Sequence, residues 1–222
     1  MALIASLNFP KKSHRKEVRL PQPSARLAEF IGIMMGDGGI NNSWQATITI
    51  NAIADAAYAA YIHALCLELF GIAPAMRKRK GRQALVLSLA STTVVDFLVS
   101  KGLCRGNKLA QGLAMPGWIL ADPILQRACV RGLVDTDGCL FIHRHAVRGK
   151  MYRNLGLCYS SASPTLLQQV ASAFEKNGIV AHIDKRCRNI YLYRQAAVAA
   201  YLEIFGTSND RISGVYKKWR GG

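Results

Sequence analysis

Along this chain the hydrophobic positions switch between the period of a helix and the period of a strand, twice in the same order. In SARLAEFIGIMMG, Leu27, Phe30, Ile31 and Met34 recur at three and four residues, as one helix face does, and Ser24 stands where an N-cap belongs. QATITIN then alternates apolar and polar residues like a strand. DAAYAAYIHALCLELFG predicts an amphipathic helix closed by Gly71, IAPAMRKRKGRQALVLSLA a hairpin turning at Gly81, and TTVVDFLVSKG a helix closing at Gly102. From Asp122 the order repeats. DPILQRACVRGLVDT is a helix, and CLFIHRHAVRGKMYRNLGLCYS is a hairpin turning near Gly149. SPTLLQQVASAFEKNG is a helix with Ser163 at its cap and Pro164 in its first turn, followed by the hairpin IVAHIDKRCRNIYLYR and the closing helix QAAVAAYLEIFG. The expected class is α+β, with two pseudo-symmetric halves. The boundaries are a basic N-terminal arm over 1–23, a first half over 24–102, a linker over 103–121, a second half over 122–216 and a short tail over 217–222.

Two of these helices end against a rule. FIGIMMGDG finishes on Asp37 and Gly38, and VRGLVDTDG, one hundred positions later, finishes on Asp137 and Gly138. A carboxylate at a helix C-terminus faces the negative end of the helix dipole, where a cation is favoured. A single Asp-Gly reads as a turn; two in register read as a site. Gly32 and Gly36 on the first helix, with Gly132 and Thr136 on the second, are small residues four apart, which let two backbones approach closely. Packed side by side, the helices bring Asp37 and Asp137 together at one end. Two adjacent carboxylates repel unless a cation lies between them, and hard oxygen donors beside phosphates suit Mg²⁺. Asp135 has Met35 as its counterpart and is expected to be structural or modulatory.

Charge then narrows the partner. The chain has 222 residues, 29 Lys and Arg against 13 Asp and Glu, and a net charge of +16, which points to a polyanion and first to nucleic acid. The basic residues concentrate in the predicted strand regions, where Asp184 is the acid present, so the sheet faces are the expected contact surface. Outward candidates are Asn42, Gln45, Thr47, Thr49, Arg77, Arg79, Arg82, His143, His145, Lys150, Arg153, Arg186, Arg188 and Tyr191, side chains suited to base edges or phosphates. The six cysteines show no CxxC spacing, so they predict reduced, mostly buried thiols rather than a zinc site or a disulfide framework. No apolar run spans a membrane. The expectation is an intracellular protein, and the Ala- and Arg-rich composition favours a prokaryotic cytoplasm over an organelle.

FIGIMMGDG and VRGLVDTDG resemble the two motifs of the LAGLIDADG homing endonucleases in their single-chain form, and the resemblance runs from about residue 24 to about 216. It implies two αββαββα halves, motif helices at their interface, and saddle-shaped antiparallel sheets on the major groove of double-stranded DNA. It gives Asp37 and Asp137 the role of metal ligands at the scissile phosphates, and places Gly36 and Thr136 in the same metal site. The cofactor implied is Mg²⁺ or Mn²⁺, with Ca²⁺ supporting binding without cleavage. Lys108 in GLCRGNK and Arg211 in TSNDR correspond to the family's basic residues near the cleaved bond, and Asn51 and Ser161 to a polar residue of the water network. The activity implied is a double-strand break with short 3′ overhangs at a long asymmetric site, by a monomer needing no protein partner. The alternative is a non-cleaving nucleic-acid binder such as an intron maturase. The chain lacks a Cys or Ser start and a terminal His-Asn, so an intron-encoded or free-standing enzyme is expected rather than an intein.

Overall fold

The computed structural model describes residues 17–221; residues 1–16 of the expected basic N-terminal arm lie outside the described residues. The first half runs α1 (Ala25–Gly36), β1 (Gly38–Gly39), β2 (Gln45–Asn51), α2 (Ala56–Phe70), β3 (Ala75–Lys78), β4 (Ala84–Ala90) and α3 (Thr92–Ser100). After α4 (Gly117–Leu120) the second half runs α5 (Pro123–Asp137), β5 (Gly138–Val147), β6 (Lys150–Ser160), α6 (Pro164–Lys176), β7 (His182–Ile183), β8 (Asn189–Leu192), α7 (Gln195–Ile204) and α8 (Asp210–Arg220). Each half builds a four-stranded antiparallel sheet with the same connectivity, β1-β2-β4-β3 and β5-β6-β8-β7. The α+β two-half architecture read from the sequence is the one observed.

Local chemistry accounts for the element ends. Ser24 Oγ accepts from Leu27 N at 3.2 Å, Ser91 Oγ from Val94 N at 3.3 Å and Ser163 Oγ from Leu166 N at 3.2 Å, so each hydroxyl satisfies a first-turn amide. Gly71 ends α2 in the left-handed region, at φ 71°, where a side chain would be strained. Strand alternation then splits each sheet into two faces. In β2, Ala46, Ile48 and Ile50 are buried against the helices, while Gln45, Thr47, Thr49 and Asn51 point the other way.

α1 and α5 are the axis of the molecule. They pack along their lengths, and Leu27, Phe30, Ile31, Cys129, Val130 and Leu133 are wholly buried between the halves and their sheets. The approach is close enough that glycine is required. A Cβ on Gly32 would lie 2.2 Å from the Cys129 carbonyl oxygen, and one on Gly132 2.3 Å from that of Glu29. The small-residue spacing thus does what the sequence suggested.

The halves differ in length. β5 and β6 have 10 and 11 residues, against 2 and 7 in β1 and β2. The longer hairpin is covered by α8, which has no counterpart in the first half. Ile212, Val215, Tyr216 and Trp219, at helical spacing, face the core, and Trp219 Nε1 donates to the Arg153 carbonyl at 3.4 Å. The sequence reading stops the second half at 216, whereas the helix continues to Arg220, with Lys217, Lys218 and Arg220 favourably placed in its last turn. The segment 103–121 is likewise more than a connector, since it holds α4 and delivers Lys108 to the end of α1.

Candidate active site

The two acids emerge together where α1 and α5 end. Asp37 caps α1 and Asp137 is the last residue of α5; a Cβ on Gly36 would lie 2.9 Å from Asp137 Oδ2, so nothing but the glycine separates that carboxylate from the first helix. Burial pushes the Asp37 carboxyl up to about 7, and the neighbouring charges of Asp137 and Asp55 push the same way against Lys108 and Arg211. Partial loss of water raises Asp137 to about 6, although its side chain is the more open of the two, and Lys108 opposes the rise. A pair of desolvated carboxylates that hold on to protons is a pair short of positive charge. That donor set, oxygen-only and beside an open cleft, fits a divalent cation of the Mg²⁺ class. Among the described residues no cluster of three or more His, Cys, Asp or Glu provides a closed metal site.

Each helix end has a basic residue on its carbonyls. Lys108 Nζ donates to the carbonyls of Gly36 and, at 2.9 Å, Gly38. Burial lowers the Lys108 pKa, and both acids act against that. In the second half Arg211 donates from Nη1 to the Gly138 carbonyl at 3.0 Å and from Nη2 to that of Asp135 at 3.2 Å. The two cations thus offset the unfavourable end of each helix dipole that Asp37 and Asp137 make worse. Each of the two residues expected from GLCRGNK and TSNDR sits beyond its half's last common helix, and the contact they share in register is the carbonyl of Gly38 or Gly138.

Several neighbours carry no motif. Arg211 Nε pairs with Asp55 at 3.0 Å, across the two halves. Asn209, nearly inaccessible, donates to Asp55 Oδ1 and to the Asp135 carbonyl, both at 2.9 Å, and its own Oδ1 accepts from Arg211 N. Asp135 receives the Thr207 hydroxyl and, at 2.7 Å, Ser208 N; burial raises it to about 7. Glu29 of α1, wholly buried, accepts from Arg131, Tyr61 and, at 2.7 Å, Ser208 Oγ. Segment 207–209 is therefore pinned by acids of both halves, which fixes Arg211. This gives Asp135 the structural role expected of it. Asp55 and Asn209 escape sequence reading because they meet each other from 154 positions apart, and Asn209 meets Asp135 from 74.

The cleft beside Asp137 is lined by Gly36, Lys108, Ser160, Ser161, Arg188 and Asn189. Ser161 is thus at the site, where its Oγ also accepts from Ser163 N at 3.1 Å. Asn51 does something else: its Oδ1 accepts from Ile53 N and Ala54 N, both at 2.9 Å, which shapes the turn into α2. Of the residues expected around a metal, Gly36 has its carbonyl taken by Lys108, and the Thr136 hydroxyl donates to the carbonyls of Gly132 and, at 2.9 Å, Leu133. The two carboxylates remain the donors on offer.

The outward candidates divide. Gln45, Thr47, Arg77 and Arg79 line one concavity on the first sheet, and Thr49 shares their face. Arg82 lies in the exposed β3–β4 turn, and Asn42 uses Oδ1 to accept from Trp44 N at 3.0 Å in the loop before β2. On the second sheet His143 and Tyr191 line another concavity; Lys150 shares the parity of Asn154, and Arg186 and Arg188 occupy the exposed β7–β8 turn. His145 has the outward register of His143, but its side chain lies outside the described residues. Arg153 is a correction. It pairs in register with Arg144 and shares the parity of Leu155 and Leu157, so it points to the helix side, half-buried, with Nε unpaired. Strand alternation decides this: Lys150 and Arg153 are three apart on β6 and fall on opposite faces. Asp184, the one acid expected among these strands, is spent on a turn, accepting from Arg188 N, Asn189 N and Asn189 Nδ2.

Residues 125–211 match the LAGLIDADG-like domain family, and no match is found among curated proteins. Solved structures of similar fold include the meganuclease I-SmaMI bound to uncleavable DNA, at 12% identity and TM-score 0.58 over 87% of this chain and 88% of that one. The I-LtrWI LAGLIDADG homing endonuclease bound to target DNA matches at 8% identity and TM-score 0.59 over 88% of each chain. Mesophilic variants of the homing endonuclease I-DmoI match at 17% identity and TM-score 0.50 over 82% of this chain and 96% of theirs. At these identities the likeness is one of fold. The resemblance carried by FIGIMMGDG and VRGLVDTDG is borne out to this extent: the second half matches the LAGLIDADG-like domain model, and over nearly nine-tenths of its length the chain has a fold similar to that of I-SmaMI and I-LtrWI.

Proposed function

We propose that the protein is a site-specific DNA endonuclease that cuts both strands of a long asymmetric target, leaves short 3′ overhangs and depends on a divalent cation. The observation that carries this is the meeting of Asp37 and Asp137 at the ends of two contacting helices, each end also held by one basic side chain. Asp37 and Asp137 are the residues that hold the cation, Mg²⁺ or Mn²⁺. When bound, it supplies an activated water and charge neutralisation at the leaving oxygen. The chain's own residues do the rest. The sheet faces, with Gln45, Thr47, Thr49 and Arg77 on one and His143 and Tyr191 on the other, take the duplex in its major groove. Exposed Arg82, Lys150 and Arg186 meet phosphates, which position the duplex without reading it. Lys108 and Arg211, moving from helix carbonyls toward phosphate oxygens, stabilise negative charge there. The molecule acts as a monomer, because both motifs lie in one chain.

Incubation with a randomised plasmid library and Mg²⁺, and separately Ca²⁺, followed by sequencing of new ends tests the proposal. Discrete ends at one long motif with Mg²⁺ alone are the expected result. Sequence-selective retention without cutting under both ions refutes it in favour of a maturase-like binder, for which RNA is the next ligand.

A further inference from the structure

The two sheets present concavities of the same size, the first basic and mixed, the second more apolar and aromatic. That on the first sheet, about 380 Å³, is lined by Gln45, Thr47, Arg77, Arg79 and Ser88. That on the second, also about 380 Å³, is lined by Phe141, His143, Asn154, Gly156, Tyr191 and Tyr193. Register explains the second surface. Phe141 lies directly across from Gly156, and Cys158 lies across from both Cys139 and Tyr191. With no side chain at 156, the Phe141 ring lies across the sheet: a Cβ there would be 2.3 Å from Phe141 Cζ. Tyr191 and Tyr193 stack beside it with centroids 5.3 Å apart and planes at 8°. The result is an apolar floor between cationic ends, Lys150 at the hairpin tip and Arg186 and Arg188 at the other end, all exposed.

A floor of this kind inside a basic rim has a definite complement. The major groove of B-DNA offers one apolar group, the C5-methyl of thymine, and aromatic or aliphatic side chains read it by contact. We infer that the Phe141–Tyr191 floor over Gly156 reads thymine methyl groups, so that the second sheet selects a thymine-bearing half-site while the polar first sheet reads the other half by hydrogen bonds. This rests on the proposed placement of the sheets on DNA, and it names Phe141 as a specificity-determining residue. It also favours DNA over RNA, whose uracil has no such methyl.

Deoxyuracil substitution is the test, because it removes the methyl and nothing else. Once a target has been selected, duplexes carrying deoxyuracil for thymine in one half-site at a time are titrated by fluorescence anisotropy in Ca²⁺. Replacement in one half-site is expected to weaken binding about fourfold for each methyl buried, and replacement in the other less than about twofold. Phe141→Ala should abolish the sensitivity of the responsive half, so that variant and wild type converge on the deoxyuracil duplex; circular dichroism confirms that the variant is folded. Equal affinity for thymine and deoxyuracil in both halves overturns the inference, as does sensitivity that survives Phe141→Ala. Site-specific cutting that ignores the methyl removes this inference alone, whereas failure to bind any duplex removes the endonuclease reading with it.

Discussion

Substituting Gly132 by alanine asks whether the site depends on the contact between α1 and α5. The new Cβ would stand 2.3 Å from the Glu29 carbonyl oxygen and 2.9 Å from Ile33 N, both backbone atoms that cannot rotate away. Ordinary contact begins near 3.4 Å, so the helices must part by about 1.1 Å at this point. Glu29 is poorly placed to yield, since its carboxylate is buried and held by Arg131, Tyr61 and Ser208. Helix propensity alone would make the alanine variant more stable by ~1 kcal/mol, whereas overpacking a tight contact costs ~1–3 kcal/mol or more. Because both clashes are with backbone, the upper end of that cost applies, and the expected net effect is destabilisation of about 2 kcal/mol, with double-strand cleavage reduced further because Asp37 and Asp137 separate. Gly214, also within a helix but with open space around its Cβ, is the internal control, and Gly214→Ala should stabilise by ~0.5–1 kcal/mol. The assay is urea unfolding at unchanged m, with cleavage followed in parallel. A Gly132→Ala protein as stable as wild type would refute the close-packing argument, and the opposite signs of the two variants guard against a trivial effect of alanine.

Other outcomes follow from the same geometry. Asp37→Asn or Asp137→Asn should abolish double-strand cleavage while target affinity in Ca²⁺ stays within about tenfold, measured by plasmid nicking and gel shift; undiminished cutting would remove the metal reading. The acids also set a pH dependence. Folded-state values of about 7 and 6 lie above the unfolded 3.8, so their contribution is present at low pH and is lost as pH rises through 6 to 7. Protein in EDTA should therefore melt lower at pH 8 than at pH 5.5. Asp37→Asn should recover ~1–2 kcal/mol at pH 8, the full shift being discounted for solvent screening, and a melting point of the variant that tracks wild type at every pH would contradict this. Lys108→Met removes the charge from carbonyls of α1 and should slow single-turnover cleavage more than it weakens binding, whereas a pure affinity loss would make Lys108 a backbone contact. Arg131→Met leaves the buried carboxylate of Glu29 with only the longer contact to Arg26 and should cost ~3 kcal/mol in chemical denaturation, and an unchanged unfolding midpoint would contradict this.

How much of this was legible in advance can be argued from particular residues. Ser24, Ser163 and Gly71 act within a few positions of themselves, so their roles are local and readable. The helix and strand periods, the duplicated Asp-Gly and the small residues at 32, 36, 132 and 136 are likewise properties of the chain, and they fix the two-half fold and the meeting of Asp37 with Asp137. Lys108 and Arg211 were found through motif resemblance, but their contact with helix carbonyls could not be, because a side chain's partner depends on where distant backbone comes to rest. Asp55, Asn209 and the Glu29–Arg131 pair join segments from both halves and carry no periodicity. Arg153 lies on the helix side rather than outward because alternation along β6 separates it from Lys150, three positions before it. The sequence by itself determined the elements, the duplication and the identity of the two acids, since these depend on spacing along one chain. Only the tertiary structure decided which cations serve those acids and why one sheet face is polar and the other aromatic, because register and helix approach are collective results of packing.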